Sequence, residues 1–268
     1  MIGSDSLNPE HIQSGLTAEA RALLGELRVH GAIDSTNAEA LRRLESGAVP
    51  GLVITAEQQT AGRGRRGRDW VSPPAANIYL SVAWQFHGGV EAMDGLSLAV
   101  GVGVAEALAE QGLETVALKW PNDLLHGDAK LGGILVETSG HAAGPTSAVV
   151  GIGINLAMPD TEAEAIDQRW TDVSRAGGIR GGRNALLGSL LNHLLPLLAN
   201  FESAGFHPWR ERWLARNAHA GQSVALRSGD REIVGVVQGV DESGALLLDL
   251  GGTVQAFTGG ELSLRPLA

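Results

Sequence analysis

The chain has 268 residues, 44% hydrophobic and 19% charged, which suits one large globular domain or one with a small companion. It contains no cysteine, so disulfides, thiol catalysis and the commonest structural zinc ligands are excluded. A net charge of −10 argues against a chain that coats nucleic acid, and no stretch approaches the roughly 20 apolar residues of a membrane span. The first residues, MIGSDSLNPEH, lack both the basic start and the apolar run of a signal peptide, so a cytoplasmic location is expected.

In chain order, Thr17–Arg28 predicts a helix, with Ala20, Leu23, Leu24 and Leu27 at helical spacing. Val29–Asp34 reads as a short strand, and Ser35 or Thr36 caps a helix through Leu44. Gly51–Glu57 is a strand, Gln58–Pro74 a long loop rich in glycine and arginine, and Asn77–Gln85 another strand. Leu96–Gln111 predicts a buried helix; Val116–Lys119, Lys130–Thr138 and Ser147–Asn155 predict strands. Arg183–Ser203 predicts a long helix bent at Pro196. Strands and helices mix without strict alternation, which favours α+β over a doubly wound sheet. After His219 five short strand-like runs follow, separated by turns such as Ser228-Gly229-Asp230 and Gly259-Gly260. They predict a small SH3-like β-barrel. The chain thus divides into an N-terminal helical segment (1–28), a large domain (29–218) and a C-terminal module (219–268).

One segment breaks the acidic trend. Gly62-Arg63-Gly64-Arg65-Arg66-Gly67-Arg68-Asp69-Trp70 alternates glycines, which let backbone N–H groups approach a ligand, with arginines that supply charge and forked donors. It suits phosphate or carboxylate; the competing reading is a plain basic loop, which the acidic surroundings and the lack of repetition disfavour. Trp70 suits either an adenine ring or an apolar lid. No Gly-Lys-Ser/Thr follows, so this is not a Walker motif. A second group, Lys119-Trp120-Pro121-Asn122-Asp123, precedes Lys130-Leu131-Gly132-Gly133-Ile134-Leu135-Val136-Glu137. Asn122 and Asp123 suit a Mg²⁺ ion or the orienting of a nucleophile; the plainer reading is a turn leading into a hairpin. Asp34-Ser35-Thr36-Asn37 taken alone is an N-cap, and Gly151-Ile152-Gly153-Ile154-Asn155 taken alone is a glycine-containing strand. The eight histidines form no metal-ligand spacing.

Together, DSTN, QTAGRGRRGRDW, SPPAANIYLS, KWPND, KLGGILVE and GIGIN, followed by a C-terminal β-module, resemble bacterial biotin protein ligases from about Val29 to the C-terminus. The resemblance implies a mixed-sheet catalytic domain of the biotin/lipoate ligase type followed by an SH3-like module. It implies ATP, biotin and Mg²⁺, and a biotin carboxyl carrier protein or domain as partner. It assigns Lys130, Asp123 and Arg63 to catalysis, with Mg²⁺ at Asp123 as one of two open roles; the other is steering the acceptor lysine. It assigns Ser35, Thr36, Asn37, Gln59, Arg63, Gly64, Arg65 and Lys130 to biotin. To ATP it assigns Arg65, Arg66, Arg68, Trp70, Asn122, Asn155, Arg231 and Arg265. Ala75-Ala76 departs from the glycine-containing turn usual after the Ser-Pro pair. Bifunctional relatives carry an N-terminal DNA-binding module, for which one helix before residue 29 is too little; a monofunctional ligase without nucleic-acid or membrane partners is expected. Relatives range from monomers to sheet-extended dimers, so a homodimer stays open. The alternatives are a lipoate or octanoate ligase of the same fold and a non-catalytic biotin-sensing module.

Overall fold

The computed structural model describes residues 5–48, 50–140, 145–163, 166, 168–228, 231–258 and 263–266. Two six-residue helices come first, α1 (Pro9–Ser14) and α2 (Ala18–Leu23). Asn8 caps α1 by accepting from the N–H groups of Glu10 and His11, and Thr17 caps α2 through Ala20. The single helix expected over Thr17–Arg28 is therefore shorter and has a companion. Strand β1 (Glu26–Ile33) already begins at Glu26, because it pairs in parallel with β2 (Leu52–Gln59) from Glu26 opposite Leu52. Tertiary pairing here outweighs helix propensity.

The large domain continues with α3 (Thr36–Glu45), β3 (Asn77–Phe86), α4 (Leu96–Glu110), β4 (Ala117–Lys119), β5 (Asp123–His126), β6 (Ala129–Gly140) and β7 (Thr146–Asn155). Then come α5 (Asp160–Ala163), α6 (Arg183–Ala204) and α7 (His207–Leu214). Neither β5 nor α7 is foreseen above. Strand β5 is four residues long, and its pairing with β6 shifts register between Leu124 and Leu125. Among the described residues the strands form a mixed sheet in the order β1-β2-β3-β7-β6-β5-β4, in which β1 and β2 run parallel and the other neighbours antiparallel. The α+β expectation holds.

Helix α4 is apolar round most of its length because it is buried from Leu98 to Ala105, with Glu106 and Glu110 marking its more open end. Its Gly101 lies against Leu118 and Ile134 of the sheet, and its Gly103 against Leu194 and Leu197 of α6. Contrary to expectation, Val90–Glu110 is long and apolar enough to cross a membrane, yet most of it is buried within the protein. Helix α6 runs on through Pro196 and contributes Leu186, Leu187, Leu190, Leu191, Leu194 and Leu198 to the same core. Burial of each such leucine contributes about 1.5–3 kcal/mol. On the other sheet face, Ala40 of α3 packs with Leu52, Ile54, Ala83 and Val149.

The start of the chain is clasped to α6. Arg183, 1% exposed, pairs with Glu57 at 2.5 Å and donates to the carbonyl of Asp5. Asn184 accepts from the Asn8 N–H at 2.8 Å.

Five strands follow, β8 (Ser223–Ser228), β9 (Arg231–Val240), β10 (Leu246–Asp249), β11 (Val254–Phe257) and β12 (Ser263–Pro266). They form an antiparallel sheet in the order β11-β10-β9-β8-β12, the SH3-like module expected. Of the turns expected there, Gly229, Asp230, Gly259 and Gly260 lie outside the described residues. The module meets the large domain where the Trp120 indole donates to the Gly244 carbonyl at 3.1 Å.

Candidate active site

A cleft opens over β3, β7 and β6, between the start of α3, the arginine loop and the turn after β4. Its buried end is built by α3. Ser35 caps that helix and accepts from the Ala38 N–H, so Ser35, Thr36 and Asn37 are fixed at the helix start, each less than 5% exposed. Gln59 Oε1 accepts from the Thr36 N–H at 2.9 Å and from its hydroxyl at 3.1 Å. Ser81 Oγ lies 2.8 Å from Thr36 Oγ1 and 2.6 Å from Asn37 Oδ1. The Asn37 amide donates to Glu137 at 2.8 Å. This network holds several polar atoms at one end of the cleft, suited to a small polar head group. Asp34, by contrast, turns away to Arg42 at 2.8 and 2.9 Å, which with the Ser35 N–H holds its pKa at about 2 against the opposing effect of burial.

The arginine loop folds back on itself. Gly64 N–H donates to Arg68 O at 2.7 Å and Trp70 N–H to Gly62 O at 2.9 Å, while Arg63 and Asp69 pair as an antiparallel bridge. Gly62 is required here, since a Cβ would stand 2.6 Å from Trp70 O. Arg66, at φ 61°, takes the left-handed conformation that strains a side-chain-bearing residue. Ala75, at φ 57°, does the same. Arg63 Nη2 lies 3.2 Å from Glu137, which thereby holds both Arg63 and Asn37. Arg65 crosses the cleft and donates to Asn122 Oδ1 at 3.1 Å. Burial lowers its pKa, with the Asp123 carboxylate opposing.

Facing the loop, the turn Lys119–Asp123 includes a cis Trp120–Pro121 bond. The Asn122 side chain donates to Ile134 O at 2.8 Å, pinning the turn to β6. Asp123 lies 2.7 Å from Lys130 Nζ and 3.5 Å from Lys119 Nζ. Burial would raise the Asp123 pKa, but the two ammonium groups together hold it below the usual carboxylate range. Lys119, 13% exposed at its side chain, is pushed down by burial, with Asp123 opposing. Lys130 Nζ also stands 5.5 Å from the centroid of the Trp70 ring.

The Trp70 ring sits against a bare stretch of β7. A Cβ on Gly153 would stand 2.5 Å from its ring, and one on Gly151 would stand 2.3 Å from Asn37 Oδ1. The GIGIN strand, weak when read alone, is therefore the floor of the site. Its two glycines fall on the same face at spacing two, and that pattern in a strand is the signal that marks it.

Most of the expected residues line this cleft: Ser35, Thr36, Asn37, Gln59, Arg63, Gly64, Arg65, Arg66, Arg68, Trp70, Asn122, Asp123, Lys130 and Arg265. Asn155 does not; its buried amide donates to Thr171 O at 3.1 Å, a contact that ties the end of β7 to the 171–173 segment. The backbone of Arg231 pairs with Ser228 at the β8–β9 hairpin, and its side chain lies outside the described residues. Lys119, Tyr79, Gln168, Gly151 and Gly153 also line the cleft without having been assigned to it. Direct Mg²⁺ ligation by Asp123 does not fit. Both carboxylate oxygens face lysine ammonium groups, and among the described residues no cluster of three metal-ligating side chains occurs.

Comparison with known proteins bears on what this cleft is for. Residues 30–155 match the biotin/lipoate A/B protein ligase family, and residues 219–265 match the biotin protein ligase C-terminal domain. The chain is 42% identical over 262 residues to the bifunctional ligase/repressor BirA of Escherichia coli K12, covering 80% of that protein. The chain belongs to the biotin protein ligase family. Within the family it is also 39% identical to the biotin–[acetyl-CoA-carboxylase] ligase of Paracoccus denitrificans, covering 90% of that chain. The fold matches the biotin protein ligase of Aquifex aeolicus in complex with biotin and ATP, with a TM-score of 0.75 and 28% identity. That likeness spans 90% of this chain and 99% of the other. Biotin protein ligase membership accounts for the joint presence of the arginine loop, the KWPND turn and the C-terminal module in one cleft.

Proposed function

We propose that the chain activates biotin with ATP and transfers it to a lysine of a biotin carboxyl carrier protein or domain. The observation that carries this reading is Lys130. Its ammonium lies in a cleft that has a polar network at one end and is lined by five arginines, a positive setting suited to bringing two anions together.

In the first step a biotin carboxylate oxygen attacks the α-phosphorus of ATP. The bond from that phosphorus to the bridging oxygen breaks, its electron pair leaves with diphosphate, and the product is biotinyl-5′-AMP. Ser35, Thr36, Asn37 and Gln59 hold the biotin head group. Arg63, Gly64 and Arg65 hold the carboxyl end, and Lys130 neutralises charge that builds between carboxylate and phosphate. Arg66, Arg68, Trp70, Asn122 and Arg265 serve the nucleotide. Magnesium, if it serves the reaction, would be held by the phosphates and not by Asp123, and would supply charge neutralisation there. In the second step a neutral lysine amine of the carrier attacks the biotinyl carbonyl, the carbon–oxygen bond to phosphate breaks, AMP departs, and the amine loses a proton. Asp123 keeps Lys119 and Lys130 in place and offers the approaching amine a carboxylate. The large domain, about 29–218, supplies the cleft, and the module beyond 219 supplies Arg265. ATP and carboxylase carriers both point to the cytoplasm.

Incubation with ATP, biotin and a carrier domain, followed by intact-mass measurement, tests the reading. A carrier gaining one biotinyl group is expected. An unmodified carrier, or one modified with lipoate but not with biotin, would overturn it.

A further inference from the structure

The reaction assigned to this cleft makes an acyl phosphate, and an acyl phosphate acylates a neutral amine that reaches it. Apart from its α-amine, the chain offers such a reagent only Lys119 and Lys130, since eighteen of its twenty basic residues are arginines. Both lysines lie in the cleft itself, with side chains 13% and 16% exposed. Among the described residues, the other cations lining it are Arg63, Arg65, Arg66, Arg68 and Arg265. A guanidinium stays protonated at physiological pH and has no lone pair to offer a carbonyl, whereas a lysine has one as soon as it loses a proton.

Lys119 is the weaker point. Burial disfavours its ammonium, the cations of Arg265 and Lys130 push the same way, and His219 stands in reach of the same charge. Asp128 and Arg169 share the adjoining space, paired with each other at 3.5 Å and largely exposed. Asp123 opposes the loss of the Lys119 proton. Its carboxylate divides between the two lysines, with Oδ1 2.7 Å from Lys130 Nζ and Oδ2 3.5 Å from Lys119 Nζ. Strand pairing sets this arrangement. Lys119 and Asp123 are register partners across β4 and β5, and Lys130 folds over Gly133, the partner of Asp123 on β6.

We propose that Asp123 guards the cleft against its own intermediate, holding Lys119 as an ammonium ion beside Lys130 so that biotinyl-5′-AMP does not acylate the enzyme before the carrier arrives. The inference rests on the ligase reading. In the step it prevents, the neutral Nζ of Lys119 attacks the biotinyl carbonyl and the carbon–oxygen bond to phosphate breaks. The electron pair of that bond leaves with AMP, and the amine gives a proton to water. A biotinyl amide on Lys119 would block the cleft.

Biotinyl-5′-AMP, added directly to the full chain without carrier, is the probe, so labelling does not depend on adenylate formation. At neutral pH the parent chain should gain no biotinyl group on either lysine, read by intact mass and peptide mapping. Asp123→Asn should label Lys119 at least about tenfold faster than the parent, because loss of an opposite charge at this range raises the neutral fraction of an amine by about that factor or more. Adding Lys119→Arg to that variant should abolish the label. As pH is raised, the parent should be labelled at Lys119 before Lys130, whose contact with Asp123 is the shorter, a measurement that needs no variant to fold. A folded Asp123→Asn chain labelled no faster than the parent, or a parent labelled first at Lys130, would sink the guard. A parent chain that biotinylates a carrier yet labels its own Lys119 at neutral pH would sink the guard and leave the ligase. One that, given biotin and ATP, labels neither carrier nor Lys119 would sink the ligase reading itself.

Discussion

At the scale of single residues, the site depends on charge where two anions meet and on empty space where two side chains need room. Lys130 supplies the first. Lys130→Ala should slow adenylate formation by about 10²–10³-fold while changing biotin affinity much less, because the charge it neutralises develops in the transition state. Single-turnover kinetics beside equilibrium titration separates the two; equal losses in both would mean ordinary binding instead. Gly151 supplies the second. A Cβ there meets Asn37 Oδ1 at 2.3 Å, so Gly151→Ala should evict a buried asparagine from Ser81 and Glu137. The cost is about 1–3 kcal/mol, with a raised biotin KM, and denaturant melts with steady-state kinetics would check both. The two residues differ in how readable they were. Lysines, arginines and an Asn-Asp pair announce their chemistry by type, so Lys130 and Arg63 could be named from sequence. Gly151 and Gly153 act by what they lack, and their purpose becomes visible only when Asn37 and Trp70 are set upon them. Asn155 is ambiguous by type, since an amide at a strand end serves equally to bind a ligand or to tie a neighbouring segment, and here it reaches Thr171.

At the scale of elements, the start of α3 does two jobs with four residues. Ser35, Thr36 and Asn37 face the cleft while Asp34 locks Arg42 on the outer side of the helix. Asp34 titrates at about 2, below its ordinary 3.8, so its contribution to stability is complete above about pH 4 and vanishes as pH falls through 2. Asp34→Asn should therefore melt lower than the parent chain at neutral pH, with the gap closing between about pH 4 and 2. A gap that stayed constant over that range would show that the Arg42 pair is not its source. With 46% of the Asp34 side chain exposed, salt should shrink the gap too. Elements carried by long periodic runs, α4 and α6, were legible to within a residue or two. Helices α1 and α7 are six and eight residues long, and β5 is four, too short for a hydrophobic period to establish itself. Helix α1 is held by its Asn8 cap, α7 by the burial of Trp209 and Trp213, and β5 by pairing with β4 and β6.

At the scale of the whole molecule, the two modules share one cleft. The C-terminal module contributes Leu264 and Arg265 to its wall, and Gly244 accepts from Trp120 within the very turn that carries Asn122 and Asp123. Trp120→Phe keeps most of the buried ring and deletes that one bond. It should cost about 0.5–1.5 kcal/mol in thermal melts and raise the ATP KM more than the biotin KM. A larger effect on biotin would mean that the module supports the wrong end of the site. The division into two modules was visible in the sequence as a change from long periods to closely spaced glycine turns. That they close on a common space was not, because it depends on where the turn after β4 meets the turn after β9.

The clasp between the first residues and α6 has a consequence for synthesis. Asn8 and its partner Asn184 are 176 positions apart. At 5–20 residues per second, roughly 10–35 s pass on the ribosome before the second exists to receive the first. Through that interval the outer face of α4 and part of β3, which α6 will cover, lack that cover, and α1 and α2 lack the helix they pack against. Nascent chains of this protein therefore need shelter from one another until α6 emerges, and expression at low temperature or with added holdase chaperones should raise the soluble yield.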